Sequence, residues 1–429
     1  MTSTQDWTEP LVRGGCRFSE TRLPNGMRVL VGERHTDPVV AAMVFYGVGS
    51  VHEAPEVAGV SHFLEHMMFK GTERRGKGEV DRATALLGGR NNAFTGKDHT
   101  GYWFEFASDR WEEALAIEAD RMTSLAIDAE ELEAEREVVL EELAMGLDDP
   151  WTVLSQEVES AACGGHAYGR PIIGTQESVA GITREAMEAH YRRAYAPENA
   201  TVVVCGDVER DEVLSRVRAA FPAAPRGVAP LPEPAPLVNP EHGARVRTTW
   251  PDEGRRLCIA WPGSRCGEKD DTALDFVQTV LTSGRNSVLQ RALVLDGELA
   301  TSVSTANDAR AHGGLFWLFA EAADGVGEEQ LESAIAREIA RLATDGPTEK
   351  EMQRALGILV AGDAFEAEGV SEVAEQIGSF ALDADWRLAL DDGATHRSVT
   401  ADDVRDAVRR LLTTERATVG WCVPEAGTK

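Results

Sequence analysis

Two histidines and a glutamate in the run His62-Phe63-Leu64-Glu65-His66 have the spacing that metal-assisted hydrolysis requires. On a helix, residues four apart lie on one face, one turn from each other, so His62 and His66 can offer two imidazole nitrogens to one divalent ion. Glu65 lies about 60° round the helix from His62, within reach of a water held by that ion. Histidine, two residues, glutamate, histidine is the reverse of the commoner zinc-protease order and matches the inverzincin pattern. The competing reading is a helix with a solvated glutamate and two ordinary histidines. The flanking residues weigh against it: Phe63, Leu64, Met67, Met68 and Phe69 make this a largely buried helix, predicted over about Val57 to Phe69. Two histidines and a glutamate inside such a helix need a partner.

A later helix, expected from Glu130 to Leu147, offers carboxylates. Glu135 sits about 20° round it from Glu142, with Val138 and Val139 at about 40° and 60° on the same side. Glu133, Glu137 and Glu141 point elsewhere. Two carboxylates among valines would be costly to bury unpaired, and a nearby cation would relieve that cost. Seven glutamates between 130 and 142 make coincidence the rival explanation. His99 reads as an ordinary surface histidine.

The elements around these residues follow from pattern. Leu23-Pro24-Asn25-Gly26 is a hairpin turn between strand-like runs, and Met27 to Val31 and Val39 to Phe45 are rich in branched apolar residues. Glu79 to Leu87 is a helix stopped by Gly88-Gly89, Asn91 to Phe106 a strand or hairpin, Trp111 to Leu125 a helix, and Ala200 to Cys205 a buried strand. Residues 222–240 hold seven prolines and mark a linker between halves 1–221 and 241–429. The second half repeats the element order, with strands near 245–250, 256–261, 315–322 and 418–423 and a helix starting at Ser287, but carries no His/Glu motif. The fold expected is α+β: two homologous halves, each an antiparallel-rich sheet packed with helices, with the chemistry in the first.

The chain has 429 residues, enough for two or three domains, and 43% hydrophobic residues, enough for a sizeable core. Lys and Arg number 43 against 72 Asp and Glu, and the net charge of −29 excludes a phosphate backbone as the natural partner. Six scattered cysteines without a CxxC pair read as reduced, packed thiols. Met1 to Gly15 lacks the apolar core of a signal peptide, and no run approaches the roughly eighteen apolar residues of a membrane span, so a cytoplasmic location is the default expectation.

Taken together the chain resembles the pitrilysin-type (M16) zinc metallopeptidases, in the short-chain group that includes mitochondrial processing peptidase and its bacterial relatives. The resemblance rests on Gly49-Ser50…Glu53, Gly59…His62-Phe63-Leu64-Glu65-His66…Phe69-Lys70-Gly71-Thr72, Gly88-Gly89…Asn92-Ala93…Thr95…Thr100…Tyr102, Glu135-Arg136…Glu142, Tyr168-Gly169…Gly174 and Gly206-Asp207. It implies one Zn²⁺ per chain bound by His62, His66 and Glu142, with Glu65 as general base and Glu135 as a supporting carboxylate. It implies that the segment around Asn92 and Ala93 is an edge strand that pairs with a peptide substrate, and that two such chains close around a chamber. One departure stands out. Where active relatives carry an Arg and a Tyr seven residues apart in the second half, this chain has Val294 and Thr301; Arg291 is in place only if the register shifts. Val and Thr offer neither a cation nor a phenol to a developing oxyanion. The expectation is therefore a zinc-bearing subunit of a heterodimer whose homologous partner supplies the pair, with a homodimer or a non-catalytic peptide-binding subunit as rivals.

Overall fold

Period-two apolar alternation and period-3.6 stripes set the elements. The computed structural model describes residues 11–221, 231–390 and 393–425. In chain order the first half holds β1 Leu11–Arg13, β2 Cys16–Arg22, β3 Arg28–Glu33, β4 Val39–Tyr46, α1 Val60–Met67, α2 Glu79–Leu86, β5 Arg90–Thr95 and β6 Thr100–Ala107. It continues with α3 Glu112–Ser124, α4 Ala129–Leu147, α5 Pro150–Ala162, α6 Gln176–Gly181, α7 Arg184–Ala194, β7 Ala200–Gly206 and α8 Arg210–Ala220. The second half adds β8 Arg245–Trp250, β9 Arg256–Pro262, α9 Lys269–Thr282, β10 Ala300–Arg310, β11 Gly313–Ala322, α10 Glu328–Asp345, α11 Glu349–Glu366, α12 Val370–Asp383, α13 Ala394–Ser398, α14 Ala401–Leu411 and β12 Thr418–Pro424.

The chain forms two compact units that interleave in sequence, where a reading by halves expects one cut at 222–240. The first unit takes Met1–Leu143, Pro171–Pro234 and Ala364–Asp391; the second takes Ala144–Arg170, Ala235–Asp363 and Asp392–Lys429. Residues 222–230 of the proline-rich stretch, and residues 1–10 of the polar start, lie outside the described residues. Among the described residues no helix is long and apolar enough to cross a membrane, and all six cysteines are free thiols, five of them buried.

The first unit is built on a seven-stranded sheet of order β1-β2-β3-β7-β4-β6-β5, antiparallel except for the β3–β7 pair. Alternate residues of its central strands face opposite sides. One side sends Val29, Val31, Val40, Ala42, Val44, Tyr102, Phe104, Val202 and Val204 into a core shared with α1. The other sends Leu30, Ala41, Met43, Phe45, Val203 and Cys205 against Val370, Val373, Ala374, Ile377 and Ala381 of α12. That second packing is the reason the units interleave: a helix encoded far downstream covers the first sheet. Gly378 of α12 is required there, because a Cβ would lie 2.1 Å from the Phe45 ring. The second unit has a five-stranded sheet, β10-β11-β9-β12-β8, again with one parallel pair, β12–β8. Both units are α+β with antiparallel-rich sheets, as the pattern predicts.

Three local expectations are corrected. The helix expected from Ser287 is a π-helical segment, Gln290–Leu295. The metal-type helix is shorter than Val57–Phe69, because Pro55–Val57 forms a separate 3₁₀ turn and Gly59, at φ 92°, breaks the path before Val60. His99 is not a surface residue: it is 8% exposed, packs edge-on against Phe45 and Phe94, and its Nδ1 lies 3.0 Å from Asp383 of α12.

Candidate metal centre

Helix α1 is set in place by its own ends. The Glu53 carboxylate accepts hydrogen bonds from the backbone N–H of Gly59 (2.7 Å) and Ser61 (2.8 Å), an anion at the positive end of a helix. A Cβ at Gly59 would lie 2.4 Å from the Ile173 carbonyl oxygen, so only glycine permits this approach. Phe63, Leu64 and Met67 enter the core, which fixes the helix rotation and leaves His62, Glu65 and His66 on the partly open side. Helix α4 is indexed in the same way. Leu132, Val139 and Leu143 are buried, and the Arg136 guanidinium donates to the carbonyls of Val179 (2.5 Å) and Ile182 (2.8 Å). Glu135 and Glu142 are thereby turned toward α1.

The side chains converge. Glu142 places Oε1 3.7 Å from His62 Nε2 and Oε2 3.4 Å from His66 Nε2, and one donor atom from each of the three residues lies within 4.8 Å of the others. Tetrahedral zinc with bonds of about 2.0–2.2 Å sets its donors roughly 3.3–3.6 Å apart; the two His–Glu142 separations lie near that range, and the donor types, two imidazoles and a carboxylate, suit the ion. The hydrogen bonding agrees. Glu135 Oε1 lies 3.0 Å from His66 Nδ1; a ring that donates Nδ1–H there keeps Nε2, the nitrogen facing Glu142, as the one that could take a metal. Glu135 in turn is paired with the Lys70 ammonium.

Burial and like charge act on His62. Desolvation, then the neighbouring His66, lowers its pKa to about 4, so at neutral pH its ring is uncharged, the form that can bind a metal. Burial raises the Glu65 carboxyl above its ordinary value, opposed by a hydrogen bond from Thr95. That bond, from Thr95 Oγ1 to Glu65 Oε2, is 2.6 Å.

All five residues singled out for chemistry, His62, Glu65, His66, Glu135 and Glu142, are gathered at this one place. One element of their reading is corrected. Glu135 is buried, with 7% of its side chain exposed, but the Glu142 side chain is 48% exposed and Val138 is 47% exposed. Helix α4 opens to solvent along that stripe, so the buried-carboxylate argument applies to Glu135 alone. Asn92 and Ala93 lie on β5, the terminal strand of the first sheet. In the second unit, Val294 lies in the π-helical segment and Thr301 on β10. Arg291, in the same π-helical segment, is tied to Asp296 at 2.7 Å just beyond its end. Sequence reasoning gave no role to Lys70 or Thr95. Lys70 lies four residues beyond His66, a helical spacing that pointed to the site, but α1 ends at Met67.

His190 buttresses α1 from behind. It is half-buried, its Nε2 lies 3.1 Å from Ser61 Oγ, and desolvation, followed by the charges of His52 and Arg193, lowers its pKa to about 4. A folded-state value below the unfolded one means that the unfolded chain binds the extra proton between pH 6.5 and 4. Stability from this group is complete above about pH 6.5 and is lost as pH falls toward 4. The stability gap between the metal-free protein and its His190→Asn variant is expected to narrow by about 2 kcal/mol from pH 6.5 to 5. Urea unfolding at both pH values measures it; a constant gap contradicts the assignment.

Known proteins share this architecture. Residues 28–176 match the family model described as insulinase (peptidase family M16), and residues 181–359 match the M16 inactive domain. A Streptomyces coelicolor protein named as an uncharacterized zinc protease is 31% identical, covering 94% of this chain and 90% of its own length. An Arabidopsis thaliana protein named probable mitochondrial-processing peptidase subunit beta is 28% identical over 83% of this chain and 69% of its own. The crystal structure of a protease from Helicobacter pylori superimposes with a TM-score of 0.90 at 24% identity, covering 95% of this chain and 100% of that one. Two consecutive family matches, a relative aligned along nearly the whole chain and a common fold lead to one conclusion: the chain belongs to peptidase family M16.

Proposed function

We propose that the chain is a zinc-dependent endopeptidase that hydrolyses short or unfolded peptides in a chamber formed by two chains. The observation that carries this reading is the meeting of His62, His66 and Glu142 beside a partly buried Glu65. His62, His66 and Glu142 would hold one Zn²⁺, and Glu135 would orient His66 through Nδ1. When bound, zinc supplies Lewis acidity, polarising the scissile carbonyl and easing the ionisation of water. Glu65 takes a proton from that water as the water oxygen bonds to the carbonyl carbon. It then gives the proton to the leaving amine as the C–N bond breaks. The outer edge of β5, at Asn92 and Ala93, would pair with the extended peptide backbone and hold it beside Glu65.

The chain acts, in this reading, as the zinc-bearing subunit of a heterodimer. Val294 and Thr301 supply no charge or phenol, and Arg291 is engaged by Asp296, so a homologous partner would bring the Arg and Tyr. The same observation favours the second reading, a non-catalytic peptide-binding subunit. The experiment is to purify the chain, measure its zinc content, and assay an unstructured peptide with and without the partner and with a chelator. Cleavage that needs both zinc and partner supports the heterodimer. Strong zinc-dependent cleavage by the chain alone supports a homodimer, and a chain that purifies free of zinc supports the non-catalytic reading.

A further inference from the structure

The geometry points to Thr95 as the positioning residue for Glu65: its hydroxyl holds one carboxylate oxygen so that the other faces the reacting water. This rests on the proposed peptidase reading. The hydroxyl donates to Glu65 Oε2 at 2.6 Å, and among the described residues no partner occupies Oε1. A side chain with three rotatable bonds is thereby reduced to one orientation beside the two histidines, with Oε1 left to take the proton.

The donor is itself held firmly. Thr95 ends β5 opposite Thr100 of β6, and a branched side chain on a strand has few rotamers to choose from. The backbone just beyond it is clamped: Ser50 N–H donates to the Gly96 carbonyl at 3.3 Å and Val51 N–H to the Lys97 carbonyl at 2.9 Å. This clamp requires Gly49, where a Cβ would lie 2.5 Å from the Gly96 carbonyl oxygen. The loop after β4 thus fixes the hairpin, the hairpin fixes Thr95, and Thr95 fixes Glu65. Thr95 also stands on the terminal strand, where an extended peptide would add, so one strand would position both the substrate backbone and the base. A group held in the productive orientation before the reaction saves the reorganisation that a free side chain must make, and misplacement by about 1 Å costs about a hundredfold in rate.

The test compares Thr95→Val, which keeps the shape and removes the donor, with Thr95→Ser, which keeps the donor. Both are made in the zinc-loaded full chain, assayed with its partner chain where turnover needs one, on an unstructured fluorogenic peptide. Thr95→Val is expected to lower kcat about 10- to 100-fold with KM within about twofold of the parent, and Thr95→Ser to restore kcat to within about threefold. Zinc content and thermal midpoint should match the parent in both variants, which a merely structural role would not predict alongside a loss of kcat. A Thr95→Val enzyme with undiminished kcat overturns the assignment. If the parent shows no zinc-dependent turnover, it is the peptidase reading that fails, and Thr95 is then judged from crystal structures of the two variants. Glu65 displaced in Thr95→Val and retained in Thr95→Ser upholds the positioning role; Glu65 unmoved in both refutes it.

Discussion

Glu65→Gln is expected to reduce peptide turnover about 10²- to 10⁴-fold while the protein keeps its zinc. The amide has nearly the same size and still accepts the Thr95 hydrogen bond through its carbonyl oxygen, so the fold around α1 is undisturbed. It cannot take a proton from water at neutral pH, and proton transfer is the role proposed for the carboxylate. His62, His66 and Glu142, which meet without Glu65, keep their arrangement. Metal content by atomic absorption and kcat on one peptide, measured on the same preparation, decide the matter. Turnover that persists in the variant would mean that another group abstracts the proton; loss of zinc would mean that Glu65 is a ligand and not a base.

The second large effect concerns metal affinity. Glu135 touches no candidate metal position, yet Glu135→Gln is expected to weaken zinc binding about 10- to 100-fold. The Glu135 side chain stands between His66 Nδ1, at 3.0 Å, and the Lys70 ammonium. Donation of Nδ1–H to a full negative charge raises the electron density at Nε2 and selects the tautomer that binds metal. The amide keeps a weaker, neutral acceptor and leaves the Lys70 charge unbalanced. Competition with a chromophoric chelator gives the affinity directly. A variant that binds zinc as tightly as the parent would show that His66 needs no such support.

The readable and unreadable parts of this site divide by the range over which the chain encodes them. The pairing of His62 with His66 is set by one helical turn, and the pairing of Glu135 with Glu142 by two, so angle arithmetic finds both. Burial is another matter, since whether the stripe holding Val138 and Glu142 faces protein or solvent depends on what packs there. The Thr95–Glu65 bond joins a strand to a helix thirty positions apart, and no periodicity announces it. β10 carries no strand signal, because Ala-Thr-Ser-Val-Ser-Thr-Ala-Asn-Asp-Ala-Arg is a terminal strand of small and polar residues, without the apolar alternation of an interior one. His99 sits in a polar hairpin turn and reads as solvated; Phe45, Phe94 and Asp383, which enclose it, come from three separate segments. Helix α12 carries a legible stripe at Val370, Val373, Ala374, Ile377 and Ala381, but its destination on the first sheet is a tertiary fact.

That destination constrains how this protein can be taken apart. A fragment ending before the proline-rich stretch would leave Leu30, Met43, Phe45 and Val203 bare to water, an invitation to aggregate. Conversely, a protease nick among those prolines would sever the backbone without freeing the histidine-bearing piece, since residues 370–383 would still grip it. The histidine-bearing unit is therefore no detachable cassette: ribosomal synthesis must pass Asp383 before its last wall arrives.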